Sequence, residues 1–279
     1  MMIQGAPPGK RRFISTMKEH LDLCHQFAIA FGNNDFEQPK PLKEFLYIVK
    51  NHDRGWDSLD NAPVLDKESG YPSGIGSGPV PNVVTTSKLS PDFNEKHHAY
   101  CGLLSSMHSW GLYNDRYGYS QFRVLDGGKS VPVSSGEKNQ IADLLQKELK
   151  RQERLKKELS DDSATASWVE EKNLTRNYKL LQFFDTLALY FNLRHPDEHT
   201  NETFIHVPKT LEEDCEVTIY PLGKNQYQVH PFPFADKELC FRCEGRYFSA
   251  LVQDNEYDLL ADLLYGLPIS AQEFVFLAK

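Results

Sequence analysis

The strongest constraint on the fold of this chain is a change of periodicity at residues 194–196. Before it, apolar side chains recur every three or four positions over residues 173–193, which predicts an α-helix packed on a core. After it, apolar and polar residues alternate, as in half-buried strands, at residues 215–220, 227–230 and 239–244. Turn-forming residues at 223–225 join the first two strands as a hairpin. The sequence therefore predicts helices followed by a β meander.

Four other segments have the periodicity of a helix: residues 13–32, 41–52, 95–113 and 141–159. Residues 61–94 contain five prolines and are rich in glycine, which predicts a long loop of the kind that often covers a binding site. We therefore expect a mainly α-helical bundle over residues 1–200, with the loop or lid at 61–94. A small β-rich C-terminal extension over residues 201–279 is expected to pack on this bundle.

Charge and hydropathy limit the partners of the chain. It has 31 lysines and arginines against 39 aspartates and glutamates, a net charge of −8, which disfavours nucleic acid and anionic membranes as partners. No apolar run reaches the ~20 residues that cross a bilayer, and the N-terminal segment lacks the apolar core of a secretory signal. The five cysteines are an odd number, which favours free thiols. We expect a cytoplasmic protein that acts on a small molecule, and no pattern specifies its oligomeric state.

Three predicted helices each place a metal-binding type of residue on an apolar face. At about 100° per residue, His20 shares its face with Met17, Cys24 and Phe27, and His52 is the polar residue on the apolar face of the next helix. Asp185 lies in the nearly all-apolar run 183–189. Burying an unpaired carboxylate costs several kcal/mol, so this aspartate needs a cation or strong hydrogen-bond donors beside it.

The convergence of these side chains in one core predicts a metal site. His20, His52, the adjacent Asp53 and Asp185 would supply two imidazoles and two carboxylates. Such a set suits a divalent transition metal, namely Fe, Mn, Zn, Ni or Co, bound as one ion or two. Taken singly, each residue is better explained as a hydrogen-bonded core side chain than as a metal ligand. The four together favour the metal.

The order of these residues resembles that of the HD-domain superfamily of metal-dependent phosphohydrolases, which implies that the helical bundle over residues 1–200 is HD-like. A closer resemblance, carried by the run His-Asp-Arg-Gly-Trp at 52–56 and by segments 103–108 and 181–190, is to an uncharacterised bacterial protein family of unknown function. The superfamily resemblance implies that His20, His52, Asp53 and Asp185 bind a first metal. It implies further histidines on a second metal, for which His108 fits better than the neighbouring pair at 97 and 98.

The same resemblance implies a hydrolase that uses metal-activated water on a small phosphorylated substrate, either a phosphate ester or a nucleotide. The catalytic candidates are Asp53, which would hold the water, and Arg54 and Lys179, which would stabilise charge on the phosphate. Two alternatives stay open. One is a di-iron oxygenase of the HD type, and the other is a non-enzymatic binding or regulatory protein with a structural metal. Cys240 and Cys243 are interpreted as structural thiols, because residues three apart on a strand face opposite sides.

Overall fold

The computed structural model describes residues 1–7, 9–122, 134–251 and 260–279. The helices are α1 (Met17–Ala30), α2 (Leu42–Asn51), α3 (Asp57–Asn61), α4 (Val80–His97), α5 (Ala99–Leu112), α6 (Ser135–Asp161), α7 (Glu171–Leu193) and α8 (Leu260–Tyr265). The strands are β1 (Met2–Ile3), β2 (Arg12–Ser15), β3 (Leu65–Asp66), β4 (Tyr71–Pro72), β5 (Glu202–Pro208), β6 (Asp214–Gly223), β7 (Gln226–His230), β8 (Glu238–Phe248) and β9 (Ser270–Leu277). None of the described helices combines the length and apolar character needed to cross a bilayer.

A curled seven-stranded sheet is the main β structure. Its strand order is β1-β2-β8-β9-β7-β6-β5, and the pairing is antiparallel except between β7 and β9. The prediction of a mainly α-helical, HD-like bundle with a small C-terminal β extension is therefore wrong. The reason lies at the N-terminal end, where Phe13 and Ile14 have apolar side chains that fit a helix pattern. They instead pair with Tyr247 and Arg246 of β8, a contact between distant parts of the chain that local periodicity does not encode.

Helix α7 lies at the centre of the molecule. Every residue from 180 to 192 is buried, so this helix has no solvent-facing side along that length. On the sheet side, the ring of Phe191 lies 4.2 Å from Phe274 and 5.6 Å from Phe276, measured between centroids. On the other side α7 contacts α1, α2 and α5. Side chains of α7 that point away from the sheet are consequently enclosed by three helices.

The predicted long loop is shorter than expected. Helix α4 begins at Val80, so the prediction of a loop over residues 61–94 is wrong from that residue onward. Pro81 lies in the first turn, where a missing N–H costs nothing, and Pro91 lies inside the helix. The loop prediction assumed that both prolines break a helix. Backbone at His98 is extended and separates α4 from α5.

Other predicted elements are confirmed. Helices α2 and α7 match the segments 41–52 and 173–193, and α5 and α6 overlap 95–113 and 141–159. The hairpin between β6 and β7 is also confirmed, with Lys224 and Asn225 in the left-handed region at φ 51° and 58°. The helical part of the fold was thus largely readable from the sequence.

Candidate metal centre

The His-Asp pair lies at the end of α2, and its backbone is fixed by side chains of two other helices. His52 caps α2, and Asp53 precedes a single 3-10 turn at Arg54–Trp56. The Ser105 hydroxyl donates to the carbonyl oxygen of His52 at 3.1 Å. A Cβ on Gly55 would lie 2.3 Å from a backbone oxygen of α4, so only glycine allows this close packing. These contacts hold the turn against α4 and α5.

Four helices bring the predicted ligands together. His20 on α1, His52 after α2, His108 on α5 and Asp185 on α7 are each at most 3% exposed. The imidazole centroids of His20 and His52 lie 6.0 Å apart, and those of His52 and His108 lie 4.7 Å apart. Asp53 is adjacent, with its Oδ1 at 3.7 Å from Nε2 of His108, and its side chain is 13% exposed. The structure therefore unites all five predicted ligands.

Hydrogen bonds fix the protonation pattern of His20. The Asn192 amide nitrogen donates to the sulfur of Cys243 at 3.3 Å, which turns its Oδ1 towards His20. Because Oδ1 only accepts, the bond of 2.8 Å to His20 requires a hydrogen on Nδ1. A neutral His20 then carries its lone pair on Nε2, and that atom points into the cluster.

His52 follows the same pattern. Its Nδ1 lies 2.9 Å from the carbonyl oxygen of Val49, so Nδ1 carries the hydrogen and donates. The lone pair is on Nε2, which is buried and has no hydrogen-bond partner among the described residues. An unsatisfied buried nitrogen of this kind needs a physical explanation.

Three lone pairs meet at one point of the cluster. Asp185 Oδ1 lies 3.1 Å from Nε2 of His20 and 3.8 Å from Nε2 of His52. Among the described side chains, only the weak thiol donor of Cys24 offers a hydrogen there, with Sγ at 3.5 Å from Nε2 of His20. Converging acceptors repel one another unless a cation lies between them. The residues present therefore fit a metal ion, and a proton is the alternative occupant.

Two overlapping sets of side chains satisfy the distance requirement for a metal, and neither set includes Asp185. His20, Cys24 and His52 form one set, and His52, Asp53 and His108 form the other, with the ligand atoms of each within 4.8 Å of one another. Both sets are buried or nearly so. The cluster can hold a metal ion.

Arg116 reaches the cluster from a turn of unusual backbone conformation. Asp115, Arg116 and Tyr117 have φ of 46°, 50° and 58°, which places three consecutive non-glycine residues in the left-handed region. That conformation costs roughly 1–2 kcal/mol per residue. The turn directs the buried Arg116 guanidinium onto Asp185, with Nη1 at 2.6 Å from Oδ2. Strain of this kind persists where surrounding contacts hold it, often at functional sites.

Gln182 connects Arg116 to His108. Arginine only donates, so the amide oxygen of Gln182 faces Nη1 of Arg116, and the amide nitrogen faces His108 Nδ1 at 3.0 Å. His108 Nδ1 must then accept, which leaves the hydrogen of a neutral His108 on Nε2, facing Asp53. In this arrangement His108 has no lone pair directed at the cluster. His108 becomes a ligand only when the Gln182 side-chain amide flips, so that its oxygen accepts a hydrogen from Nδ1 and Nε2 keeps a lone pair.

The electrostatics of the cluster reflect this arrangement. Burial opposes ionisation of Asp185, but the charge of Arg116 and the neighbouring imidazoles of His20 and His52 outweigh it and hold the pKa of Asp185 well below its usual value. Burial also opposes protonation of His52, yet the neighbouring carboxylates of Asp185 and Asp53 raise the pKa of His52. Burial lowers the pKa of His108. His52 is accordingly a residue at which a proton would compete with a metal ion.

The other predicted residues make their contacts elsewhere. Arg54 pairs with Asp57, with Nη2 at 2.7 Å from Oδ2, and Lys179 pairs with Asp214 of β6. The ring of His97 stacks on Tyr47 at a centroid distance of 3.5 Å. No ion pair or hydrogen bond among the described residues links Arg54 or Lys179 to the cluster.

Sequence reasoning missed the side chains that orient the ligands. On α7, Asn192 follows Asp185 by two helical turns and Gln182 precedes it by one turn. Both therefore lie on the same side of the helix as Asp185, and helical spacing could have identified them. Cys24 follows His20 by four residues and was assigned only to the core. No local signal in the sequence identifies Arg116, because its position depends on a left-handed turn without glycine at residues 115–117.

The fold and the cluster define a helix-on-sheet protein with a buried histidine and aspartate centre that can hold a metal ion. A family model described as "Protein of unknown function (DUF3891)" matches residues 2–250, so the chain belongs to that family. This confirms the prediction of an uncharacterised family and supplies no activity. No curated protein and no solved structure matches the chain.

Proposed function

We propose that the cluster is a metal centre and that the protein is a metal-dependent hydrolase of a small phosphorylated substrate, a phosphate ester or a nucleotide. The observation that carries the proposal is the meeting of three buried lone pairs, on His20, His52 and Asp185, without a strong hydrogen-bond donor between them. Buried polar atoms are almost always satisfied, and a divalent cation satisfies all three at once.

The ligands in this proposal are His20, His52 and Asp185, with Asp53 beside them. Two imidazoles and two carboxylates favour Fe, Mn, Zn, Ni or Co over calcium or a thiolate-seeking metal. The order of these residues along the chain resembles that of the HD-domain phosphohydrolases, and this likeness suggests the reaction class. Asn192 and Val49 support the choice, because each holds the hydrogen of one imidazole on the nitrogen that faces away from the centre.

A bound divalent ion would lower the pKa of a coordinated water and polarise a phosphoryl oxygen. Asp53 is the carboxylate suited to orient that water and accept its proton, because it is partly exposed and Arg116 does not pair with it. The hydrogen bonds to the backbone of His52 and the close packing at Gly55 keep this carboxylate in place. Arg54 and Lys179 are left out of the proposal, since both are paired with surface aspartates.

Metal analysis tests the first part of the proposal. Purified wild-type protein is dialysed against each candidate divalent ion, and Asp53→Ala and Asp185→Ala are treated identically. The proposal expects close to one bound ion or more per wild-type chain and clear loss in Asp185→Ala. Wild-type protein that retains no transition metal under any loading condition would contradict it. The loaded protein is then screened for phosphate release from nucleotides and phosphate esters, with Asp53→Ala as the inactive control.

A di-iron oxygenase is the second candidate. The observation that favours it is the additional set of His52, Asp53 and His108, which would extend the centre towards a second ion. Iron-loaded protein is tested for oxygen consumption in the presence of small organic substrates. Oxygen uptake without phosphate release would replace the hydrolase proposal with this one.

A binding or regulatory protein with a structural metal is the third candidate, favoured by the nearly complete burial of His20, His52 and Asp185. This candidate expects a large rise in melting temperature on metal loading and no turnover of either substrate class. A loaded protein that hydrolyses a phosphate ester excludes it.

A further inference from the structure

Arg116 is the one cation that touches the proposed centre among the described residues, and its guanidinium is only partly used. Both of its hydrogen bonds leave from Nη1, one to Asp185 and one to Gln182. No described residue accepts a hydrogen bond from Nε or Nη2. A guanidinium has five donors arranged as a planar fork that matches phosphate and carboxylate oxygens. The Nε and Nη2 edge of this fork therefore has no acceptor among the described residues.

The charge of the cluster indicates what kind of ligand that is. Asp53 and Asp185 contribute −2 and Arg116 contributes +1, so the ionised side chains sum to −1. A divalent ion changes the sum to +1. A buried excess charge is unfavourable, and an anionic group bound beside the ion neutralises it. Asp53 and Arg116 are also the charged members that reach solvent, with side-chain exposures of 13% and 10% against 4% for Asp185.

The backbone of Arg116 gives an independent reason to assign it a function. Three consecutive left-handed residues without glycine are an outlier, and the turn brings this one guanidinium to the centre. If Arg116 only neutralised Asp185, an arginine on a regular element would serve as well. The guanidinium holds Oδ2 of Asp185, whereas Oδ1 faces Nε2 of His20 and of His52, so Arg116 and an ion can use the same carboxylate together.

We propose that Arg116 binds the anionic phosphoryl group of the substrate at the metal centre through its Nε and Nη2 edge, while Nη1 stays on Oδ2 of Asp185. This inference rests on the proposed metal-dependent function and adds the residue that selects an anionic substrate. Gln182, which accepts the other hydrogen bond from Nη1, would keep the guanidinium in this orientation.

The test measures binding of inorganic phosphate to metal-loaded protein by titration calorimetry. Arg116→Gln is expected to bind phosphate at least tenfold more weakly than wild type, and Arg116→Lys is expected to lie between them because it keeps the charge and loses the fork. Arg176→Gln is the matched control, because Arg176 is also 8% exposed but donates to the carbonyl oxygens of Glu37 and Gln38. It should bind phosphate as wild type does.

Metal affinity is a second measurement, and a purely structural role of Arg116 predicts a change in it of the opposite sign. Arg116→Gln should bind the ion as tightly as wild type or more tightly, because the positive guanidinium no longer repels the ion. A structural arginine predicts weaker metal binding with every substitution.

The outcomes separate the two proposals. Wild-type protein that takes up no ion overturns the proposed function. Wild-type protein that takes up the ion and binds phosphate no better than Arg116→Gln does overturns only the role of Arg116. A parallel titration with acetate distinguishes a phosphate site from a general carboxylate site, and equal affinity for both anions counts against the phosphoryl assignment.

Discussion

The molecule buries histidine in two different ways. His199, beside the sheet, has both ring nitrogens satisfied: Nε2 lies 3.2 Å from the Arg194 carbonyl oxygen, and Nδ1 lies 2.6 Å from the Tyr227 hydroxyl. His52, among the helices, uses Nδ1 in the same manner but leaves a buried Nε2 without a hydrogen-bond partner among the described residues. Burial alone therefore does not mark a functional histidine.

The difference shows which observation carries weight. His199 is a core residue with both ring nitrogens hydrogen-bonded. Burial lowers its pKa to about 4, so it stays neutral. The pKa of His52 is raised instead, because the carboxylates around it outweigh burial. A buried histidine that attracts a cation and lacks a partner is a ligand candidate, whereas one with two partners is not. The following predictions separate the two environments, beginning with the largest effect.

Asp185→Asn should lower the free energy of unfolding of the metal-free protein by about 3–5 kcal/mol, because it leaves Arg116 buried without its carboxylate. Urea denaturation in the presence of a chelator measures this. Asp214→Asn is the control, since its pair with Lys179 is more exposed and should be worth less than about 1 kcal/mol. Equal losses in the two variants would show that the helical cluster is electrostatically no different from the surface.

His52→Phe should weaken metal binding by about 100-fold or more, equivalent to about 2.7 kcal/mol, because phenylalanine preserves the ring volume and lacks the lone pair. His199→Phe should bind the ion as wild type does. Equilibrium dialysis with metal analysis measures both. Similar binding by wild type and His52→Phe would remove His52 from the centre.

His199 should make the stability of the protein depend on pH. Its folded pKa of about 4 lies below the ordinary value of 6.5, so the unfolded chain binds the proton more readily between these values. The contribution is complete above about pH 6.5 and is lost as the pH falls towards 4, with about 2 kcal/mol gone at pH 5. His199→Phe should lose less stability than wild type between pH 7 and pH 5 in urea denaturation. Parallel losses in the two proteins would contradict the prediction.

Asn192→Ala should weaken metal binding by about tenfold, the smallest of these effects, because His20 loses the acceptor that keeps its hydrogen on Nδ1. Asn177→Ala is the control: Asn177 is also buried on α7, but it donates to Lys40 and Tyr100. Metal dialysis distinguishes them, and identical affinities in the two variants would mean that Asn192 does not orient His20.

The sequence predicted the convergence of His20, His52 and Asp185 because each lies on the apolar face of its own helix, and apolar faces meet in the core. It did not predict that the sheet includes the N-terminal strands, because β1 and β2 are short and β2 pairs with β8, more than 200 residues along the chain. It also missed the contact of Arg116 with Asp185, which depends on backbone angles at residues 115–117 rather than on spacing. Whether the cluster binds a metal stays a prediction.

The hydrogen bond from His52 to the Val49 carbonyl oxygen sets a limit on stoichiometry. With Nδ1 committed to Val49, His52 has a single lone pair to offer, yet it belongs to both sets of candidate ligands. His52 can therefore bind an ion in only one of the two sets at a time. A second ion must be bound without His52. Titration with metal should therefore show one high-affinity equivalent per chain, and any second equivalent should follow at a clearly weaker affinity.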